Sequence, residues 1–173
     1  MSQCDSGYAG IPRDEYSTPR WVTQALLPQI RDIHLVWDPA SGSGQMARVL
    51  KAAGLQVLAT DIATGQDFLL AKAEPVQAII TNPPYALAQE FIEHALELTK
   101  PDGIVAMLLR TDFDHAKTRQ HLFGECDRFA KKVVLTKRIK WFEDSTGSPS
   151  FNHAWYVWDW KHRGPPTLAY GPE

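Results

Sequence analysis

Cysteine is almost missing from this 173-residue chain: it has 2, Cys4 and Cys126, and they fall in no metal-ligand spacing. Neither a disulfide scaffold nor a structural metal site is expected; a pair of reduced thiols and a cytoplasmic location are. No apolar run approaches the ~20 residues of a membrane span. The opening Met1-Ser2-Gln3-Cys4-Asp5 lacks the basic and apolar regions of a secretion signal, so no membrane partner is expected. Repeats and low-complexity blocks are absent too. What remains, 44% hydrophobic and 22% charged, has the composition of an ordinary globular domain with one substantial core.

Net charge is also nearly absent, at −2, but it is unevenly spread. Residues 1–109 carry 7 Lys/Arg against 12 Asp/Glu, whereas residues 110–140 carry 9 against 4. A basic segment in an acidic chain is either the footprint of a polyanion or a solvated face with edge-strand lysines.

Hydrophobic patterning predicts strands over 33–37, 55–59, 76–80, 104–109, 133–136 and 154–160. Helices are predicted over 18–30, where Thr18-Pro19 reads as a start signal, over 45–53 before Gly54, over 87–98, and over 112–123. Trp155, Tyr156, Trp158 and Trp160 read as sheet packing. Alternating strands and helices imply an α/β fold, a doubly wound, mostly parallel Rossmann-like sheet with a late antiparallel strand. The expected layout is a flexible lead-in over 1–15, a single domain over 16–163 and a flexible tail over 164–173.

Ligands on such sheets bind beyond the carboxyl ends of the strands. Asp38, Asp61 and Asn82 each follow a strand and should line one crevice. The loop Asp38-Pro39-Ala40-Ser41-Gly42-Ser43-Gly44 satisfies, with Ala47, a dinucleotide-type glycine pattern. A carboxylate at its mouth would repel a pyrophosphate, however, and favour a cationic group such as the α-amino group of a methionine moiety. Asp61 is placed to accept ribose hydroxyls. A ligand with a ribose and a cationic amino-acid tail is S-adenosylmethionine. Singly, either aspartate could be a turn or capping residue.

Asn82-Pro83-Pro84-Tyr85 leaves its strand as a stiff, extended turn, because two prolines fix φ and remove two donors. Its amide, carbonyl and aromatic ring suit a flat polar ring carrying an exocyclic amine.

On these residues the chain resembles the small, phage-type form of the DNA adenine-N6 methyltransferases, in the arrangement in which cofactor motifs precede the catalytic tetrapeptide. Tyr16-Ser17-Thr18-Pro19 is similar to the family's N-terminal cofactor-contacting motif. The glycine loop supplies Asp38, Pro39, Ala40, Gly42 and Gly44, and Asp61 with Ile62 beside it matches the ribose-binding acid. Gly65-Gln66-Asp67-Phe68 resembles the element around the cofactor adenine, with Asp67 near its N6 and Phe68 against its face. Asn82, Pro83, Pro84 and Tyr85 match the catalytic motif, and Phe151-Asn152-His153-Ala154-Trp155 the late loop that offers an aromatic to the target base.

The resemblance implies S-adenosylmethionine as cofactor, DNA as partner, and direct methyl transfer to an amine held by Asn82 and the Pro83 carbonyl, with Tyr85 stacked on an extruded base. Phe151 is then a candidate for the opposite base face or a loop anchor, and His153 a polar pocket residue or a structural histidine. Lys137, Arg138 and Lys140, beside Lys131-Lys132 and before a loop over 144–150, become candidate phosphate contacts. The length leaves no separate target-recognition domain, so a recognition partner or a second copy is the expected source of sequence specificity. Related readings keep the fold and cofactor but act on a base amine in RNA or a glutamine amide in protein. A non-catalytic cofactor-binding subunit and a dinucleotide oxidoreductase lie further off.

Overall fold

The computed structural model describes residues 17–141 and 151–171. Seven strands form one sheet: β1 (Leu35–Asp38), β2 (Gln56–Ala59), β3 (Ala78–Thr81), β4 (Ile104–Arg110), β5 (Phe129–Val134), β6 (His153–Asp159) and β7 (Thr167–Tyr170). Their order is β2-β1-β3-β4-β6-β5-β7. β6 runs antiparallel to both of its neighbours, and the other pairings are parallel. This is the doubly wound, mostly parallel sheet with a late antiparallel strand that the sequence pattern implied.

Both faces of the sheet are covered, which explains why its central strands are apolar on both sides rather than alternating with polar residues. On β4, Ile104, Ala106 and Leu108 join the core beneath α1 (Arg20–Leu26) and α2 (Gln45–Ala52). Val105, Met107 and Leu109 face the opposite core, under α3 (Ala88–Leu98). β6 divides likewise: Trp155 and Val157 enter the first core, Tyr156 and Trp158 the second. Two indole N–H groups tie the layers together, Trp155 Nε1 donating to the Val22 carbonyl and Trp158 Nε1 to that of Leu122.

Three expectations change. The helix predicted over 18–30 begins at Arg20, with Pro19 as its cap, and tightens into a 3-10 turn at Leu27–Gln29. Pro28 has no N–H to continue the α-helical ladder. The helix predicted over 112–123 is two 3-10 turns, Phe113–His115 and Lys117–Leu122, separated by Ala116 in an extended conformation. Its large apolar residues, Phe113, Leu122 and Phe123, stand at the two ends, so a continuous helix would have no apolar stripe to bury. The segment from Gly164, expected as a flexible tail, carries β7, which pairs with β5 from Lys131↔Thr167 to Val134↔Tyr170. Gly171 follows it, buried, and an added Cβ would stand 2.9 Å from that of Ala25. The expected lead-in and the loop over 144–150 lie outside the described residues.

Candidate active site

From β1 the chain first goes to β2 on one side and then to β3 on the other, so the order reverses at β1. A crevice opens at such a point because the connections leave in opposite directions. A cleft of about 470 Å³ lies there, and Asp38, Asp61 and Asn82 all line it. Also on its wall are Thr18, Pro39, Ala40, Gly42, Ile62, Asp67, Phe68 and Pro84. Pro19, Gly44, Pro83 and Tyr85 lie outside the lining, and Tyr16 falls outside the described residues.

Asp38 closes β1 and is 1% exposed. Its Oδ1 accepts a hydrogen bond from Thr81 Oγ1 at 2.8 Å, while Oδ2 is buried with no hydrogen-bond partner among the described residues. Burial pushes this carboxyl up to about 7, against the opposing pull of the Thr81 hydroxyl and the Ala40 backbone; Asp61 adds a smaller upward push. A buried acceptor with one empty side is costly unless something polar completes it. Here the natural complement is a cation.

Asp61 follows β2 and organises the glycine loop. One carboxylate oxygen accepts the Gly42 N–H at 2.8 Å and the other accepts the Ala63 N–H at 2.8 Å, capping the 3-10 turn Ile62–Thr64. Gly42 and Gly44 take positive φ, 47° and 74°, and Gly44 in that conformation starts α2. From the N-terminal side, the Ser17 hydroxyl bonds Gln45 Oε1 at 2.7 Å and lies 3.0 Å from that of Ser43, drawing residues 17–18 over the loop. Asp67 caps the turn Phe68–Leu70 by accepting the Leu69 N–H. Phe68 lines the cleft from below: its ring is 2% exposed and packed against Trp37, Phe91 and His94.

Ile62 is 65% exposed beside Asp61, offering an apolar wall at the mouth. The lining also includes Leu69, Ala86, Leu87 and Phe91, which sequence reasoning did not single out. For Leu87 and Phe91 the signal was helical spacing after the tetrapeptide, which reads first as core; Leu69 and Ala86 carried no signal of their own. Among the described residues the lining holds three carboxylates, Asp38, Asp61 and Asp67, and no lysine, arginine or histidine. Such a cleft repels phosphate and suits a ligand that is cationic and part apolar.

Asn82 is the first residue beyond β3, and Pro83 behind it is buried. Tyr85 opens a 3-10 turn, Tyr85–Leu87. Its ring stacks on His153, with centroids 5.9 Å apart and planes at 29°, and Trp141 meets the same imidazole edge-on at 5.3 Å. His153 is 2% exposed, and burial, helped by the Arg110 charge, lowers its pKa to about 4. It is therefore a neutral ring supporting Tyr85 at ordinary pH. Phe151 is 40% exposed two residues before β6, with the Arg110 guanidinium 3.9 Å above its ring. Arg110, at the end of β4, also pairs with Asp112, and the sequence reading had not singled it out.

The basic residues separate into two groups. Lys137, Arg138 and Lys140 are exposed around Ile139, which is buried in the core. Lys137 lies 6.0 Å from the Trp21 ring, and Arg138 Nε donates to Asn152 Oδ1, linking the basic segment to the loop that carries Phe151. Lys131 and Lys132 do not belong to this surface. Lys131 donates to the Gln29 carbonyl, and Lys132 is 2.8 Å from Asp114 and bonds the Thr111 carbonyl.

No protein-family model matches the chain, and no protein of curated function matches it in sequence. Solved structures do match in shape. One is a protein of Listeria monocytogenes assigned as a class I S-adenosylmethionine-dependent methyltransferase, at TM-score 0.61 and 14% identity over 95% of this chain and 68% of that one. The type IIG restriction endonuclease BpuSI matches at 0.61 and 16% identity, over 93% of this chain but 26% of its own length. The 1,6-didemethyltoxoflavin-N1-methyltransferase of Burkholderia thailandensis, crystallised with S-adenosylhomocysteine, matches at 0.54 and 11%, over 80% and 76%. The chain therefore has the fold of the class I S-adenosylmethionine-dependent methyltransferases.

Proposed function

We propose that this chain is an S-adenosylmethionine-dependent methyltransferase acting on the exocyclic N6 amine of adenine in DNA. The observation that carries the reading is a carboxylate-lined cleft with an unfilled buried acceptor, Asp38 Oδ2, and with Asn82 on the same wall. The residues present fit this cofactor. Asp38 would hold its ammonium, Asp61 its ribose hydroxyls, and Ile62, Asp67 and Phe68 its adenine. When bound, S-adenosylmethionine supplies an electrophilic methyl group on sulfur.

The chain's own contribution is placement. The Asn82 side chain and the Pro83 carbonyl would accept hydrogen bonds from the target amine, drawing its lone pair out of conjugation and orienting it. Tyr85, backed by His153, would offer its remaining face to the base, with Phe151 at the mouth. Lys137, Arg138 and Lys140 would contact phosphates, which position a duplex without reading its sequence. The match to a restriction endonuclease supports the DNA reading. Sequence recognition would come from a partner or a second copy.

The test is transfer of tritiated methyl to unmethylated duplex DNA, single-stranded DNA and RNA, followed by nucleoside analysis. We expect label in N6-methyladenine of DNA. Asn82→Ala should lower transfer by at least about a hundredfold while leaving cofactor binding intact. Label confined to RNA would overturn the DNA reading.

A further inference from the structure

Thr81 ends β3, is fully buried, and immediately precedes Asn82. Its hydroxyl has one proton to give, and it gives it to Asp38 Oδ1 at 2.8 Å. That leaves Oδ2 buried and without a partner among the described residues. The charges facing Asp38 across the cleft are Asp61 after β2 and Asp67 before the turn at Phe68–Leu70, and both are acidic; the other polar groups on the wall, including Asn82, are neutral. No cation on the lining therefore offsets a negative charge on Asp38; what offsets it is neutral donors, the Thr81 hydroxyl from behind the wall first and the Ala40 backbone second.

We propose that Thr81 is a positioning residue for the cofactor: it keeps Asp38 ionisable in a buried, acidic cleft and turns the free carboxylate oxygen toward the ammonium of an amino-acid tail. The inference rests on the cofactor reading above. It also puts the donor that holds this charge on the strand end that carries Asn82, so one hydrogen bond from β3 to β1 and one peptide link join the two halves of the site. A carboxyl stripped of its only side-chain donor is harder to ionise, since hydrogen bonding to the charged form is what offsets desolvation. In its neutral form it holds a cation far less well.

The experiment is calorimetric titration of the full chain between about pH 5.5 and pH 8, chosen to span the region in which Asp38 changes charge. Two probes are used: S-adenosylhomocysteine, which has the amino-acid tail, and 5′-methylthioadenosine, which lacks it. For the wild type, affinity for S-adenosylhomocysteine should rise by up to about tenfold per pH unit and then level off. Thr81→Val, which keeps the volume and removes the hydroxyl, should bind it about tenfold more weakly at neutral pH and level off at higher pH. Thr81→Ser should restore wild-type behaviour. Binding of 5′-methylthioadenosine should be unchanged in all three and show no pH slope.

Wild-type affinity and an unmoved levelling point in Thr81→Val would overturn the inference while leaving the cofactor reading intact. So would equal weakening of both probes at every pH, which marks a packing role alone. If no variant, wild type included, binds S-adenosylhomocysteine, the cofactor reading fails and the inference falls with it.

Discussion

Asp38 illustrates what a buried acid costs a folded protein. Its pKa is raised, from 3.8 to about 7, so the folded chain holds a proton over a range in which the unfolded chain has released it. For an acid shifted in this direction, stability falls as pH rises from the unfolded value through the folded one, and the full penalty applies above about 7. Asp38→Asn keeps an acceptor for Thr81 and has no charge to bury. The variant should therefore be more stable than the wild type at pH 8, by on the order of a few kcal/mol, and nearly equal to it near pH 4. Urea unfolding of both proteins at the two values checks this; a difference in stability between them that does not grow from pH 4 to pH 8 would refute it. The same variant should bind S-adenosylhomocysteine much more weakly, because an amide cannot neutralise an ammonium. His153 is the opposite case: a buried ring held neutral, whose service to Tyr85 is shape rather than charge.

At the scale of elements, β6 carries the most packing. It lies between β4 and β5, and Trp155, Tyr156 and Trp158 are all fully buried. Antiparallel insertion puts its first residue, His153, opposite Arg110 at the end of β4. The late loop with Phe151 thereby reaches the edge of the sheet where Asn82 leaves β3. Trp158 anchors the second core against Phe123 and Phe129 and donates to the Leu122 carbonyl. Trp158→Ala should cost about 3–5 kcal/mol through the cavity and the unsatisfied carbonyl it leaves. Chemical denaturation measures that loss, and a change below about 1 kcal/mol would contradict this account of the strand.

Across the whole molecule, charge of opposite sign is divided between two surfaces. The cleft wall is acidic, whereas Lys137, Arg138 and Lys140 stand out on a segment anchored by buried Ile139. A net charge of −2 conceals this division, which is what the proposed function requires: an acidic cleft for a cationic small molecule and a separate basic surface for a polyanion. Replacing Lys137, Arg138 and Lys140 together by alanine should weaken DNA binding without altering cofactor affinity. The slope of log affinity against log salt should become shallower by about 0.9 for each phosphate that is no longer neutralised. An unchanged slope would remove this segment from the interface.

Much of this was legible in the order of residues, because local rules act over a few positions. Two prolines after an apolar strand force a stiff exit at Asn82, glycines permit positive φ between Asp38 and α2, and alternating patterns specify a layered α/β fold. The acidic strand ends were readable for the same reason. What sequence could not supply were the meetings between distant segments. Thr81 becomes Asp38's donor only because β1 and β3 are neighbours, Arg110 covers Phe151 only because β6 inserts beside β4, and Lys132 is withdrawn from the surface by Asp114. The helix expected over 112–123 and the tail expected from Gly164 differ on the same ground, contact with distant parts of the chain: Leu122 and Phe123 are buried in the second core, and the exposed strand β7 is held by its pairing with β5. Local chemistry determined which groups this chain offers, and the sheet order decided which of them touch.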